Sequence, residues 1–306
     1  MIPEGVGSVG GLAFLDCTGL ESVSIPNSLV SVASQPFADC PKLKIVEVSP
    51  DHPVFAVENR ALVNRQEQTL LYALDHEDTG TYTVAQGIRH IEDRAFEGCM
   101  FSSVLLPDSL TSVGAVAFRG CVNLTGIDLP EGVTGLGIQA FTGCEKLESV
   151  TIPEGMIRIG SDVFGNTPAL TDVRISPDHP AYEMIGSLLV EKWDMEVISA
   201  LDSRAAVCEI PEGIRSIGSL AFQWHDNLTK LVVPEGVTRI GWSAFSGCGA
   251  LREVTLPASL TEIEEDAFGC SPELLIKAPA GSRAEQYARE NGYRFEALSG
   301  VTEEKD

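Results

Sequence analysis

Basic side chains are scarce in this chain: 21 Lys and Arg stand against 44 Asp and Glu over 306 residues, a formal net charge of −23. A surface so short of cations has little with which to neutralise phosphates, which argues against nucleic acid and anionic membranes as partners and leaves cationic or neutral ones open. Also missing is any apolar run near the roughly 20 residues that cross a bilayer as a helix, so no membrane insertion is expected. The start, Met1-Ile2-Pro3-Glu4-Gly5, lacks the basic and apolar regions of a secretory leader. It opens in mid-repeat, as expected of a piece whose upstream part lies elsewhere.

Arrangements that carry chemistry are equally sparse. There is no Cys-x-x-Cys pair, no Gly-rich phosphate loop, no Ser nucleophile elbow and no Asp-x-Asp-x-Asp-Gly loop. The histidines, His52, His76, His90, His179 and His225, stand at neither metal nor triad spacing. No acid-base or nucleophile-base pair can be placed, so neither an enzyme, a cofactor nor a metal site is expected.

What is present is a period. Pro3, Pro26, Pro107, Pro130, Pro153, Pro211, Pro234 and Pro257 recur in Pro-x-Gly/Ser elements, with Ala85 in the same slot, and most steps are 22 or 23 residues. The clearest unit runs Leu228-x-x-Leu231-x-Val233-Pro234-Glu235-Gly236-Val237-x-x-Ile240-Gly241-x-x-Ala244-Phe245-x-Gly247-Cys248. Its Phe slot is filled by Phe14, Phe37, Phe96, Phe118, Phe141, Phe164, Phe222, Phe245 and Phe268. A unit this short cannot bury its own apolar face, so it is stable only when neighbours stack into one continuous core. Alternation in Leu-x-Val puts apolar side chains inward on a short strand, Pro ends the strand, and the Ala-Phe pair supplies another wall.

This pattern resembles the BspA-like, or treponemal-type, leucine-rich repeat of bacterial surface and secreted proteins. The resemblance covers nearly the whole chain, with Pro36-Phe37, Val163-Phe164 and Trp224-His225 as departures. It implies an α/β repeat: a leucine-rich-repeat solenoid of short parallel strands and helical turns, with about nine coils, one per Phe slot, in a single domain over 1-306. It further implies adhesion, binding of host proteins and surface display. Two readings follow: a non-catalytic module presenting its surface to a protein or glycan, or an inert spacer holding another domain away from a wall.

Two steps are long, and both carry Ser-Pro-Asp-His-Pro followed by two apolar runs. These inserts, about 49-84 and 176-209, are expected to be β-hairpins that project from the solenoid edge and flank a saddle floored by Gly126, Asp128, Ser149 and Thr151. A turn explains the duplicated Asp-His-Pro, though paired contacts to one ligand are a second reading. A capping helix over 282-291 is expected from Ser282 as N-cap, Glu285 completing a capping box and Gly292 as terminator. The tail 299-306 is expected to fray, and the uncapped first coil could pair with a second copy.

Seven of the eight cysteines, Cys17, Cys40, Cys99, Cys121, Cys144, Cys248 and Cys270, share one slot after the repeat Phe. They are expected to be reduced, buried packing residues, because free Cys behaves as a small hydrophobe and Thr167 and His225 fill the same slot. The Glu of Pro-Glu-Gly reads as a solvated acidic column. Candidate partner contacts are the outward strand residues Asp128, Thr151, Asp172, Arg174 and Lys230. Trp193, at a predicted turn, joins them with Trp224 and Trp242, because solvent-facing Trp is enriched at binding hot spots and otherwise packs onto a neighbour.

Overall fold

A computed structural model of the chain describes residues 1–33, 35–74, 77–269 and 273–298; His76, Cys270 and the tail 299-306 lie outside them. The chain forms two compact units, Met1–His179 and Pro180–Asp306. Both are built from coils with three walls.

In the first unit the first wall carries Ser22–Ile25 beside Ile45–Val48, Thr81–Thr83 beside Ser103–Leu105, and the parallel set Gly126–Asp128, Ser149–Ile152 and Asp172–Ile175. The second wall holds two-residue strands such as His90–Ile91, Ser112–Val113, Gly135–Leu136 and Arg158–Ile159, paired in parallel. In the second unit the first wall runs Val207–Glu209, Lys230–Val232, Glu253–Thr255, Leu275–Pro279 and Arg294–Leu298. The third wall is the Ala-Phe stretch. There Phe118 lies between Phe96 and Phe141 at ring distances of 4.8 and 5.2 Å and nearly parallel planes, and each of these rings is fully buried.

The solenoid has about 12 turns and only 3% helix, which corrects both the expected nine coils and the α/β description. The extra turns arise where the inserts and the C-terminal strands close coils without a repeat Phe. The bends are not helical, because two residues of each fully described third wall take the left-handed conformation and interrupt any helical succession. Val116 (φ 61) and Gly120 (φ 70) in one coil illustrate this.

The inserts also differ from expectation. The predicted runs do form antiparallel pairs, Ala61–Asn64 with Thr69–Ala73 and Leu188–Glu191 with Glu196–Ala200. A further strand precedes each, Phe55–Glu58 and Tyr182–Ile185, so each insert is a three-stranded meander. Neither projects. Thr69–Ala73 pairs in parallel with His90–Ile91, and Glu196–Ala200 with Ser216–Ile217, so each meander extends the second-wall sheet of its own unit. Ala61–Asn64 and Thr69–Ala73 are buried throughout, because their apolar faces complete the core instead of standing out as wings. The projecting wings on which the expected saddle rested are therefore not found in either unit.

The capping helix is Arg283–Asn291. Ser282 Oγ accepts the Glu285 N–H at 3.3 Å, Glu285 Oε2 accepts the Gly281 N–H at 2.6 Å, and Gly292 (φ 73) ends it. Ala284, Tyr287 and Ala288 are buried against the last coil, where Tyr287 meets Phe268 edge-on.

Candidate functional site

Strand register brings four candidate residues together on the first wall of the first unit. Gly126, Ser149 and Asp172 form one outward row and Asp128, Thr151 and Arg174 the next. Arg174 donates to Asp172 Oδ2 through Nε at 2.8 Å and Nη2 at 2.5 Å. This pairing, with Asp128 adding to it, holds the guanidinium pKa above its usual value. The side chains of Arg174 and Asp172 remain 59% and 49% exposed, so the pair is an accessible dipole beside the hydroxyl of Thr151.

Lys230 belongs to the second unit and is not a free cation. Its Nζ lies 3.0 Å from Glu253 Oε1, and Lys277 Nζ lies 2.9 Å from the other oxygen of the same carboxylate. Lys277 first, then Lys230, holds the Glu253 pKa below the usual carboxylate range. Exposed pairs of this kind contribute little stability, and their main effect here is to neutralise the face.

Trp193 stands free, 74% exposed in the turn between Leu188–Glu191 and Glu196–Ala200. The first insert repeats this turn. Lys192 N–H donates to Ala181 O as Arg65 N–H donates to Val54 O, and Met195 and Gln68 take the same left-handed conformation. The residue corresponding to Trp193 is Gln66, whose Nε2 donates to Pro53 O at 3.1 Å. One backbone therefore carries an anchored amide in one copy and a bare indole in the other. Trp224 and Trp242 are 49% and 48% exposed.

Several residues read as bland spacers do specific work. Cys40, Cys121, Cys144 and Cys248 each direct Sγ to the carbonyl of the preceding coil's Phe at 3.0 to 3.2 Å, adding a second donor to an oxygen that already accepts a backbone N–H of its own coil. Thr167 and His225 bring donors to the same slot: Thr167 Oγ1 donates to Phe164 O, and His225 Nδ1 donates to Gln223 O. His52 Nδ1 accepts the N–H groups of Val54 and Phe55, so its Nε2–H is the donor to Pro26 O at 3.0 Å. His179 Nε2 meets Pro153 O in the second copy at 3.1 Å. The duplicated Asp-His-Pro thus pegs each insert to the coil before it. Nor is the acidic column merely solvated: Glu235 accepts the N–H groups of Ala258 and Ser259 in the next coil, which lowers its pKa.

Of the six described ladder cysteines, five are buried and Cys17, in the first coil, is half-buried. Burial pushes the thiols of Cys99 and Cys121 well above their usual range and that of Cys248 up to about 12. Reaction with iodoacetamide needs thiolate. Among the described ladder cysteines, alkylation of the native protein at pH 8 is therefore expected to begin at Cys17, with Cys99, Cys121 and Cys248 reacting only on unfolding and Cys144, fully buried, closed to the reagent until then. Peptide mass mapping that finds these four labelled as fast as Cys17 would overturn the assignment.

Sequence reasoning missed Asp162, a carboxylate 1% exposed. It accepts from Gln139 Nε2 at 3.1 Å, whereas Thr142 Oγ1 lies closer to the Asp162 carbonyl (2.6 Å) than to its carboxylate (3.4 Å). Burial raises its pKa to about 7, against the lowering effect of Gln139 and Thr142. Among the described residues no group of three or more His, Cys, Asp or Glu could hold a metal, and no helix is long and apolar enough to cross a membrane.

Comparison with known proteins fits this geometry. A leucine-rich repeat protein from Eubacterium ventriosum superposes with a TM-score of 0.53 at 20% identity, over 88% of this chain and 63% of that one. The chain thus spans less than two thirds of that relative. A leucine rich cell surface protein from Faecalibacterium prausnitzii gives 0.50 at 22% identity, over 97% and 84%. The pneumococcal vaccine antigen PcpA gives 0.51 at 18%, over 91% and 78%. No match was found among curated proteins. The model of the BspA type leucine rich repeat region matches in six copies, over residues 1–65, 72–182 and 203–283. Repeats of this kind are generally non-enzymatic, and the chain, matched over most of its length, belongs to the BspA-type leucine-rich-repeat family.

Proposed function

We propose that the chain is a non-catalytic binding module displayed at a bacterial cell surface, where it presents its walls and turns to a protein or glycan partner. The observation that carries this reading is Trp193. An indole 74% exposed contributes little burial to the fold, and the equivalent turn is built without it around Gln66. Exposed Trp on a rigid turn supplies a large contact area at low conformational cost, as binding hot spots do. A spacer has no use for such a residue. Surface location is supported by the family and by the fold shared with a cell surface protein of Faecalibacterium prausnitzii.

The test is Trp193→Gln, which grafts the residue of the first insert into the second. Binding to a panel of immobilised matrix proteins and cell-surface glycans is expected to weaken by about 1 kcal/mol or more, with Tm unchanged. Unaltered affinity for every partner retained by the parent protein, or a fall in Tm, would make Trp193 irrelevant to recognition.

A further inference from the structure

The other two indoles of the second unit stand on one wall. Third-wall segments of successive coils are joined rung by rung: Leu220 N–H donates to Trp242 O at 3.1 Å, Phe222 N–H to Ala244 O at 2.8 Å and Trp224 N–H to Ser246 O at 3.0 Å. Trp242 and Trp224 therefore mark opposite ends of one paired stretch. Trp242 lies across from Leu220, and Trp224 comes four residues after Leu220 through a turn closed by the Gln223 N–H on Leu220 O at 3.0 Å. Phe222, Ala244 and Phe245 are buried between them, which leaves the half-buried amide of Gln223 and hydroxyl of Ser246 as the floor. No ionisable group lies between the two indoles, in a chain with 65 charged side chains (44 acidic plus 21 basic). Acids flank this stretch at both ends: Glu265 takes the place of Trp242 in the following coil, where its carbonyl accepts the Ser243 N–H, and Asp226 follows Trp224 by two residues.

Trp224 is held in place at a cost. Its φ is 63, in a slot where the other fully described coils carry Gly98, Gly120, Gly143 and Gly247, or Asp16, Asp39 and Asn166. Gly enters this region freely and Asp and Asn tolerate it, whereas a bulky side chain there is an outlier. The indole is also fixed, because it lies against Gly247 of the next coil, where a Cβ would come within 2.6 Å of Trp224 Cε3. Nearly half of it nevertheless faces solvent.

We propose that this face binds a short neutral oligosaccharide, stacked on the indoles of Trp242 and Trp224 at its two ends and hydrogen-bonded to Gln223 and Ser246 between them. The C–H faces of pyranose rings pack against aromatic planes, and their hydroxyls pair with neutral amides and hydroxyls that both donate and accept. An anionic glycan would meet a net charge of −23 with no cation on the floor, and a cationic peptide would find no carboxylate between the indoles. The inference rests on the binding-module reading above but does not depend on Trp193.

Intact protein is titrated, by calorimetry and indole fluorescence, with neutral tri- to hexasaccharides of glucose, galactose, mannose, xylose and N-acetylglucosamine, and with sialylated and sulfated chains as anionic controls. At least one neutral chain is expected to bind. Trp224→Gly, which restores the repeat's own residue and relieves the backbone, and Trp242→Ser, which copies Ser161 and Ser219 of other coils, are each expected to weaken it about tenfold or more. Val30→Ser, at an exposed apolar side chain of the first unit, should leave it unchanged. Absence of binding by every neutral chain, preference for the anionic chains, survival of binding in both Trp224→Gly and Trp242→Ser, or equal loss in Val30→Ser would each overturn the assignment. If no neutral chain binds while Trp193→Gln still loses a partner, this inference fails and the binding-module reading stands.

Discussion

Replacing Asp162 by Asn is expected to stabilise the protein at neutral pH by on the order of 2–4 kcal/mol, an unusual gain for a single substitution. The carboxyl titrates near 7 in the folded state against 3.8 when unperturbed, because burial disfavours its charge by more than the hydrogen bonds from Gln139 and Thr142 favour it. Folded Asp162 therefore holds a proton that the unfolded chain has released across this interval. Its contribution is most favourable below pH 3.8, declines as pH rises from 3.8 to about 7, and is constant at the penalised level above that. Every tenfold change in proton affinity between the two states corresponds to about 1.4 kcal/mol. Asn keeps an acceptor for Gln139, tolerates the left-handed backbone of this residue (φ 53) and carries no charge to desolvate. The difference in unfolding free energy between variant and parent should be large at pH 8 and shrink towards zero near pH 4. Burial lowers the pKa of His225, which pulls the opposite way below pH 6.5, but His225 is common to both proteins and cancels. A difference that stays flat with pH would show that Asp162 is solvated.

Phe118→Ala is expected to cost about 3–5 kcal/mol, the range for emptying a buried aromatic site that cannot collapse. The ring is fully buried and stacked at both faces, 9° from Phe96 and 6° from Phe141, so its removal leaves a void walled by two rings that the coil spacing holds apart. Phe14→Ala should cost less, since Phe14 is half-buried and has one ring neighbour, Phe37 at 5.4 Å. Repeat arrays lose cooperativity locally, so the effect is best read by hydrogen exchange at neighbouring coils as well as by denaturant titration. Equal costs at the two sites would mean that stacking on both faces adds nothing. The double variant Phe118→Ala, Phe141→Ala should cost less than the sum of the single changes, because the two cavities merge.

The repeat was legible because its signals are local and recur: Pro at strand ends, Phe in the third wall, and Ser282, Glu285 and Gly292 around one helix. The bends were misread because the left-handed residue before Ala-Phe is seldom Gly. Val116 and Leu220 take that conformation under the constraint of rungs on both sides, and nothing in their identity announces it. The first strand of each meander was missed for a related reason, since its tight turn is Asn59-Arg60 in one copy and Gly186-Ser187 in the other rather than Asn-Gly. Asp162 did leave a trace. Gly165 stands where other coils carry Glu97, Arg119, Thr142, Gln223 and Ser246, with Gly269 as the other glycine of the slot, and a Cβ at Gly165 would lie 2.1 Å from Asp162 Oδ1. The missing side chain at Gly165 leaves the space that the carboxylate fills. Among the candidate contacts, Trp193 was legible as an exposed turn residue. Neutralisation of Lys230 was not, because it depends on the register that sets Lys230 against Glu253.

The rungs of the second and third walls run in opposite senses. Gly114, Gly137 and Gly241 donate their N–H groups to the preceding coil, whereas Phe96, Phe118 and Phe222 donate theirs to the following one. In a helix aligned peptide groups add up to a field at the ends, positive at one and negative at the other. Here these two sets of rungs point against each other, so their contributions along the axis of each unit oppose instead of adding. The long-range field of the protein is then dominated by its side chains, and with 44 acids against 21 bases it is negative. Approach of a charged partner should accordingly slow or quicken with ionic strength according to the partner's own sign, and approach of a neutral one should be indifferent to salt.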